Sequence, residues 1–136
     1  MYVTGNENEK IKEYSLSTPW DITTSNVTHV RDSVALTSTD NNPRNIQFSK
    51  EGTEFYYAGN GSNDMHKFTL STAWDVSTLS SSATTFDLGD RVANMRGFIF
   101  TSSFSRLYVT NDNGKAAFNK VYELSLIHIS EPTRLA

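Results

Sequence analysis

Residues 16–21 read LSTPWD and residues 70–75 read LSTAWD, one phrase written twice with only Pro19 exchanged for Ala73. The phrase belongs to a longer repeat. Residue 1 laid over residue 55 brings MYVTGN onto FYYAGN and IKEYSLSTPWDITT onto MHKFTLSTAWDVST, and both tryptophans keep the shift, since 74 − 20 = 54. Nine pairs are identical over residues 1–24 against 55–78: Tyr2/Tyr56, Gly5/Gly59, Asn6/Asn60, Leu16/Leu70, Ser17/Ser71, Thr18/Thr72, Trp20/Trp74, Asp21/Asp75 and Thr24/Thr78. Ordinary residue frequencies would give about one or two. A second register, 52 residues long, lays NIQFSKEGTEFYY (45–57) over GFIFTSSFSRLYV (97–109), and a third copy runs on toward KVYEL (120–124). A fixed period of this size restricts a chain to solenoids, propellers or arrays.

The elements inside the period choose among these. Residues 44–49, 54–58, 64–70 and 82–88 read as short strands bounded by Gly, Asn, Asp or Ser, and 10–16, 26–31, 96–101, 106–110 and 120–124 are their counterparts. The turn SKEGTE (49–54) places Gly52 where a positive φ is needed. No stretch carries a sustained helical period. Four short strands in about fifty residues make one propeller blade. The fold expected is therefore all-β, a partial β-propeller of about two and a third four-stranded blades, open at both ends. Its blade parts are residues 1–42, 43–94 and 95–123.

The phrases LSTPWDITT and LSTAWDVST, with the strand and turn YYAGNGSND ahead of the second, resemble the repeat of a family of bacterial and phage β-propellers of lactonase-like architecture. In that family a DG-T-K-M-Y-V hairpin leads to a V-Y-x-Y-x-L-S-T-P/A-W-D hairpin. Here the first hairpin reads KEGTEFYY (50–57), with Glu51 at the usual Asp, and its last copy has become SSFSRLYV (102–109). The resemblance covers residues 1 to about 123. It implies a tail-fibre, cell-surface or other extracellular module and names no ligand.

The recurrent residues read as structural positions: Gly5, Leu16, Trp20, Asp21, Gly59, Leu70, Trp74 and Asp75. Trp20 and Trp74 are expected to pack between blades or hairpins, since a buried indole covers a large area; an exposed ring would instead favour a sugar-stacking platform. Asp21 and Asp75 are expected to accept the N–H two residues on and fix a turn. As calcium ligands they would need further oxygens converging on them, and the repeat offers one carboxylate per copy. Ser17–Thr18 and Ser71–Thr72 have no base near them in sequence and open the same connection. Gly5–Asn6 and Gly59–Asn60 suit hairpin bends, and Asn6–Glu9 and Asn111–Gly114 suit solvated loop tips. His66, matched to Lys12 and Tyr122, is expected at an exposed, variable position, and His29 on an outer strand. Asn26-Val-Thr and Asn60-Gly-Ser have the form of glycosylation sequons, of consequence only in a eukaryotic source.

Composition narrows the function. A net charge of −3 gives no basic footprint for nucleic acid, and no run approaches the apolar length of a membrane span. Zero cysteines exclude disulfides and thiolate metal sites. No catalytic, cofactor-binding or metal-binding set emerges. The partners expected are the remaining blades of the same propeller and a protein or glycan ligand. The function expected is non-catalytic binding or structural spacing on a surface or virion, with a lactonase-like enzyme or a glycan-binding lectin as alternatives.

The third phrase is due near residues 126–131, and IHISEP stands there. The string LSLIHISEPTR (124–134) resembles the translation of a transposase-type sequencing adapter, so residues 124–136 are expected to be a non-native tail without functional weight. Met1 aligns with Phe55 and Leu107, inside a strand, so both ends are expected to fall within blades. Open ends expose apolar faces and unpaired edges, and the chain alone is expected to be poorly stable or to self-associate.

Overall fold

A computed structural model describes residues 1–5, 9–36, 42–59, 61–88, 92, 94–112 and 120–125. Within them the chain is all-β, in three open antiparallel sheets. The first holds β1 (Tyr2–Thr4), β2 (Ile11–Leu16) and β3 (Val27–Asp32). The second holds β4 (Pro43–Phe48), β5 (Glu54–Gly59), β6 (Met65–Thr69) and β7 (Thr84–Phe86). The third holds β8 (Met95–Phe100), β9 (Arg106–Asn111) and β10 (Lys120–Ser125). One 3-10 turn, Val76–Thr78, lies between β6 and β7.

Each sheet is a meander, because consecutive strands are joined by connections short enough for antiparallel neighbours. Equivalent residues hold equivalent places. Val3 pairs with Lys12, Tyr57 with His66, and Val109 with Tyr122. In the same way β4 pairs with β5 as β8 pairs with β9, and a register irregularity comes after Pro43 in one and Met95 in the other. β10 continues to Ser125, with Leu124 opposite Leu107 and packed on the core of that sheet. Residues 126–136, and with them the rest of the expected tail, lie outside the described residues.

The alternation of apolar and polar residues feeds two cores. Ile11, Leu36, Phe55, Tyr57, Phe68 and Val76 form one, drawn from the first two sheets. Ala58, Met65, Met95, Phe98, Leu107 and Val109 form the other, drawn from the second and third. The second sheet thus contributes to both. Side-chain amides tie it to the third: Asn45 Nδ2 donates to the Phe98 carbonyl, and the Phe100 N–H donates to Gln47 Oε1 at 3.0 Å. Met95 N–H donates to Asn63 Oδ1 at 3.3 Å.

Candidate functional site

The repeated phrase forms the same tight turn in both copies. Asp21 N–H donates to the Thr18 carbonyl at 3.2 Å, and Asp75 N–H to the Thr72 carbonyl at 3.1 Å. The tryptophans carry φ of 66° and 65°, and the residues before them are not left-handed. A bond from i+3 to i with positive φ only at i+2 is type II geometry, which welcomes proline at i+1. That is why Pro19 and Ala73 interchange. It also means that each copy places a bulky indole where glycine is normally used, an uncommon and strained choice.

The aspartates anchor this turn to the residues after it. Asp21 Oδ1 accepts Thr23 N–H at 3.0 Å, and its Oδ2 accepts Asn26 Nδ2 at 2.6 Å. Asp75 Oδ1 accepts Ser77 N–H at 3.0 Å and the Ser77 hydroxyl at 2.6 Å, capping the 3-10 turn. The backbone bond from Thr23 foremost holds Asp21 below the usual carboxylate range; for Asp75 the Ser77 hydroxyl does most, with the Ser77 N–H and Arg31 adding to it. Both turns therefore loosen as pH falls below the ordinary carboxylate value of about 4.

The tryptophans differ. The Trp74 ring lies on Gly52, so close that a Cβ on that glycine would come within 3.0 Å of it. Its ring centroid is 5.3 Å from Phe48, and its backbone N–H donates to the Gly52 carbonyl at 2.8 Å. Gly52 has φ 71° at the corner of the β4–β5 hairpin, where its N–H returns to the Ser49 carbonyl. Trp74 remains 44% exposed, while Trp20 is 94% exposed, so the packing expected of Trp20 is absent. The difference lies in the hairpin rather than the phrase: the β4–β5 corner at Gly52 lies against the Trp74 ring, and among the described residues no such corner covers Trp20. Replacing Trp20 by glycine therefore removes left-handed strain and no contact; it should stabilise the protein by up to about 1 kcal/mol. Trp74→Gly should cost about 2–3 kcal/mol, both changes being read from urea denaturation.

In the third copy the corner residue is Phe104, with φ 53° and its N–H on the Thr101 carbonyl. Its ring stacks on Phe100, centroids 5.0 Å apart, the place Trp74 takes over Phe48. Phe104 thus sets its own ring where the second copy has a glycine with the Trp74 indole against it.

A polar clasp joins the first two sheets. The Tyr2 hydroxyl donates to the Trp74 carbonyl at 2.7 Å. Arg31 bridges Glu13, at 3.3 Å, and Asp75. The repeat marks Tyr2 as recurrent but not for this contact, and it does not mark Arg31, because the clasp depends on how sheets meet rather than on strand period. Between β5 and β6 the Tyr56 hydroxyl donates to Glu54 Oε2 at 2.8 Å, and Lys67 reaches Oε1 at 3.1 Å. Burial and then the Glu54 carboxylate push the Tyr56 phenol above its ordinary value. A raised acid is held protonated by the fold, so its contribution is complete below about pH 10 and lost as pH climbs beyond. Tyr56→Phe should flatten the alkaline loss of stability while costing about 1–2 kcal/mol at neutral pH, read from denaturation curves across that range.

The remaining sequence-chosen residues are distributed through the sheets. Leu16 ends β2 opposite Val27, half-buried; Leu70 is buried, and its N–H donates to the Thr53 carbonyl at 2.9 Å. Gly59 ends β5 opposite Pro43; Gly5 comes directly after β1 without a left-handed φ, and a Cβ there would meet nothing within 4 Å. Asn6 and Asn60 lie outside the described residues, as do 7–8 and 113–114. Two expectations are corrected. His66 is 3% exposed, with Nδ1 3.0 Å from the Thr85 hydroxyl, because β7 and Ser62 close over it. Asn111 is no loop tip: it ends β9, buried, and its Oδ1 accepts Asn94 N–H at 2.9 Å. His29 is on β3, at the edge of its sheet, 2.7 Å from Asp32.

Among the described residues no three His, Asp or Glu side chains gather as a metal ion would require, and no helix is long and apolar enough to cross a membrane. No protein-family model and no curated protein matches the chain.

Proposed function

We propose that this chain is a run of β-propeller blades acting as a non-catalytic binding or structural module, its immediate partners being further blades of the same ring. The observation that carries this reading is the fate of the recurrent polar residues. Asp21 and Asp75, the residues a repeat-built active site would offer, have their oxygens spent on turn N–H groups and on Asn26, Ser77 and Arg31. A carboxylate so held is a turn-maker rather than a base. The strand order favours blades: β4 and β8 take the same place in neighbouring sheets, as the first strand of successive blades would. A surface or virion location rests on the sequence resemblance alone.

A glycan-binding reading has one observation in its favour, the exposed indole of Trp20, with Ile22 two residues on also exposed. The test is an assay of the purified chain against lactones and esters, with and without calcium and manganese, alongside a glycan screen. The module reading expects no turnover above the protein-free rate. Saturable turnover that scales with protein would overturn it, and glycan binding abolished by Trp20→Gly would select the lectin form.

A further inference from the structure

We propose that the free edge of β1, together with Trp20 and Thr4, is a docking site for a β-hairpin of the chemistry of residues 43–53: an apolar strand ending in a left-handed glycine. The inference rests on the blade reading and deepens it. Three groups of the first repeat lack what their counterparts have, and in each case the counterpart's partner lies on the first strand of a hairpin or on the turn that follows it.

The first is the backbone. Met1 and Tyr14 exchange both main-chain bonds, each 2.8 Å. Antiparallel alternation then turns the N–H and C=O of Tyr2 and of Thr4 outward. Among the described residues no strand pairs with that edge. In the second sheet the counterparts Tyr56 and Ala58 stand opposite Gln47 and Asn45 of β4. The second group is Trp20, which copies the left-handed φ of Trp74 but has no glycine beneath its ring. The third is Thr4. Its hydroxyl is buried and has no hydrogen-bond partner. The equivalent hydroxyl in the third sheet, Thr110 Oγ1, donates at 3.2 Å to the carbonyl of Gly97 on β8. One incoming strand would satisfy all three: it would add to the sheet by main-chain bonds, accept the Thr4 hydroxyl on a carbonyl, and seat Trp20 on its turn glycine.

This occupant cannot be the β4–β5 hairpin of a second folded copy, because Trp74 already covers Gly52 there. Nor does β8–β9 fit, since Phe104 fills the corner. A hairpin whose corner glycine is uncovered is required.

The probe is the peptide PRNIQFSKEGT, residues 43–53, titrated into the full chain with the two indole N–H signals followed by NMR. The expected result is a saturable shift of the Trp20 signal with Trp74 unmoved. A peptide with Gly52→Val should bind at least about tenfold more weakly, as should the peptide against Thr4→Val protein. Because Trp20→Gly removes only an exposed ring, loss of binding in that variant, read from the signals of the isotope-labelled peptide, reports the contact rather than unfolding. The proposal is overturned if the Trp20 signal is unmoved at millimolar peptide, if the valine peptide binds equally, or if the shift appears on concentrating the chain alone and peptide does not reverse it. None of these results bears on turnover, so the module reading would stand or fall separately.

Discussion

Gly52→Val should destabilise the protein by about 4 kcal/mol or more, a large part of a small domain's stability. Two costs coincide. The residue sits at φ 71°, where a side chain costs about 1–2 kcal/mol and a β-branched one more. The added carbons also enter space filled by the Trp74 indole, which must leave Phe48 and uncover the hairpin at an overpacking cost of about 1–3 kcal/mol. The two costs can be separated. In a Trp74→Gly background the steric part disappears and only the backbone part remains, so the double variant should be more stable than the sum of the single losses predicts. A urea denaturation cycle measures that coupling. Strict additivity would show that the glycine and the indole do not act as a pair.

Phe55→Ala should cost about 3–5 kcal/mol. Phe55 is fully buried, with ring centroids 5.2 Å from Phe48 and 6.3 Å from Phe68. Phe48 is itself held between Tyr2 and Trp74, at 4.5 and 5.3 Å. Removing Phe55 therefore opens a cavity at the meeting point of the first two sheets, beside the Tyr2–Trp74 clasp. Thermal and urea unfolding of the variant give the loss directly. A change below about 1 kcal/mol would mean that these sheets do not share one core.

The strands are legible in the sequence because their causes are local. Alternation, β-branched and aromatic residues, and Gly- or Asp-marked turns put each strand near its place, and Gly52 is recognisable as a left-handed corner. The turn role of Asp21 and Asp75 is legible for the same reason, since an Asx bond spans two residues. The phrase does not disclose what lies over it. Trp20 and Trp74 share neighbours in sequence, yet their environments differ because the covering hairpin is a separate strand. His66 departs from its expected exposure because alignment with Lys12 and Tyr122 describes variation, whereas burial comes from β7 and Ser62. The Arg31 clasp leaves no periodic trace, because it joins sheets rather than strands.

The central claim is that these sheets are successive blades of one ring, and extending the ring tests it most directly. Successive copies of residues 43–94, followed by 43–54, would be placed ahead of residue 1, and each length measured by solution scattering and thermal unfolding. The account predicts a particular length, at between about four and eight blades, at which the protein is a compact monomeric disc and its melting temperature rises abruptly. A molecule that only lengthens as units are added, with no closure and no abrupt gain in stability, would contradict it.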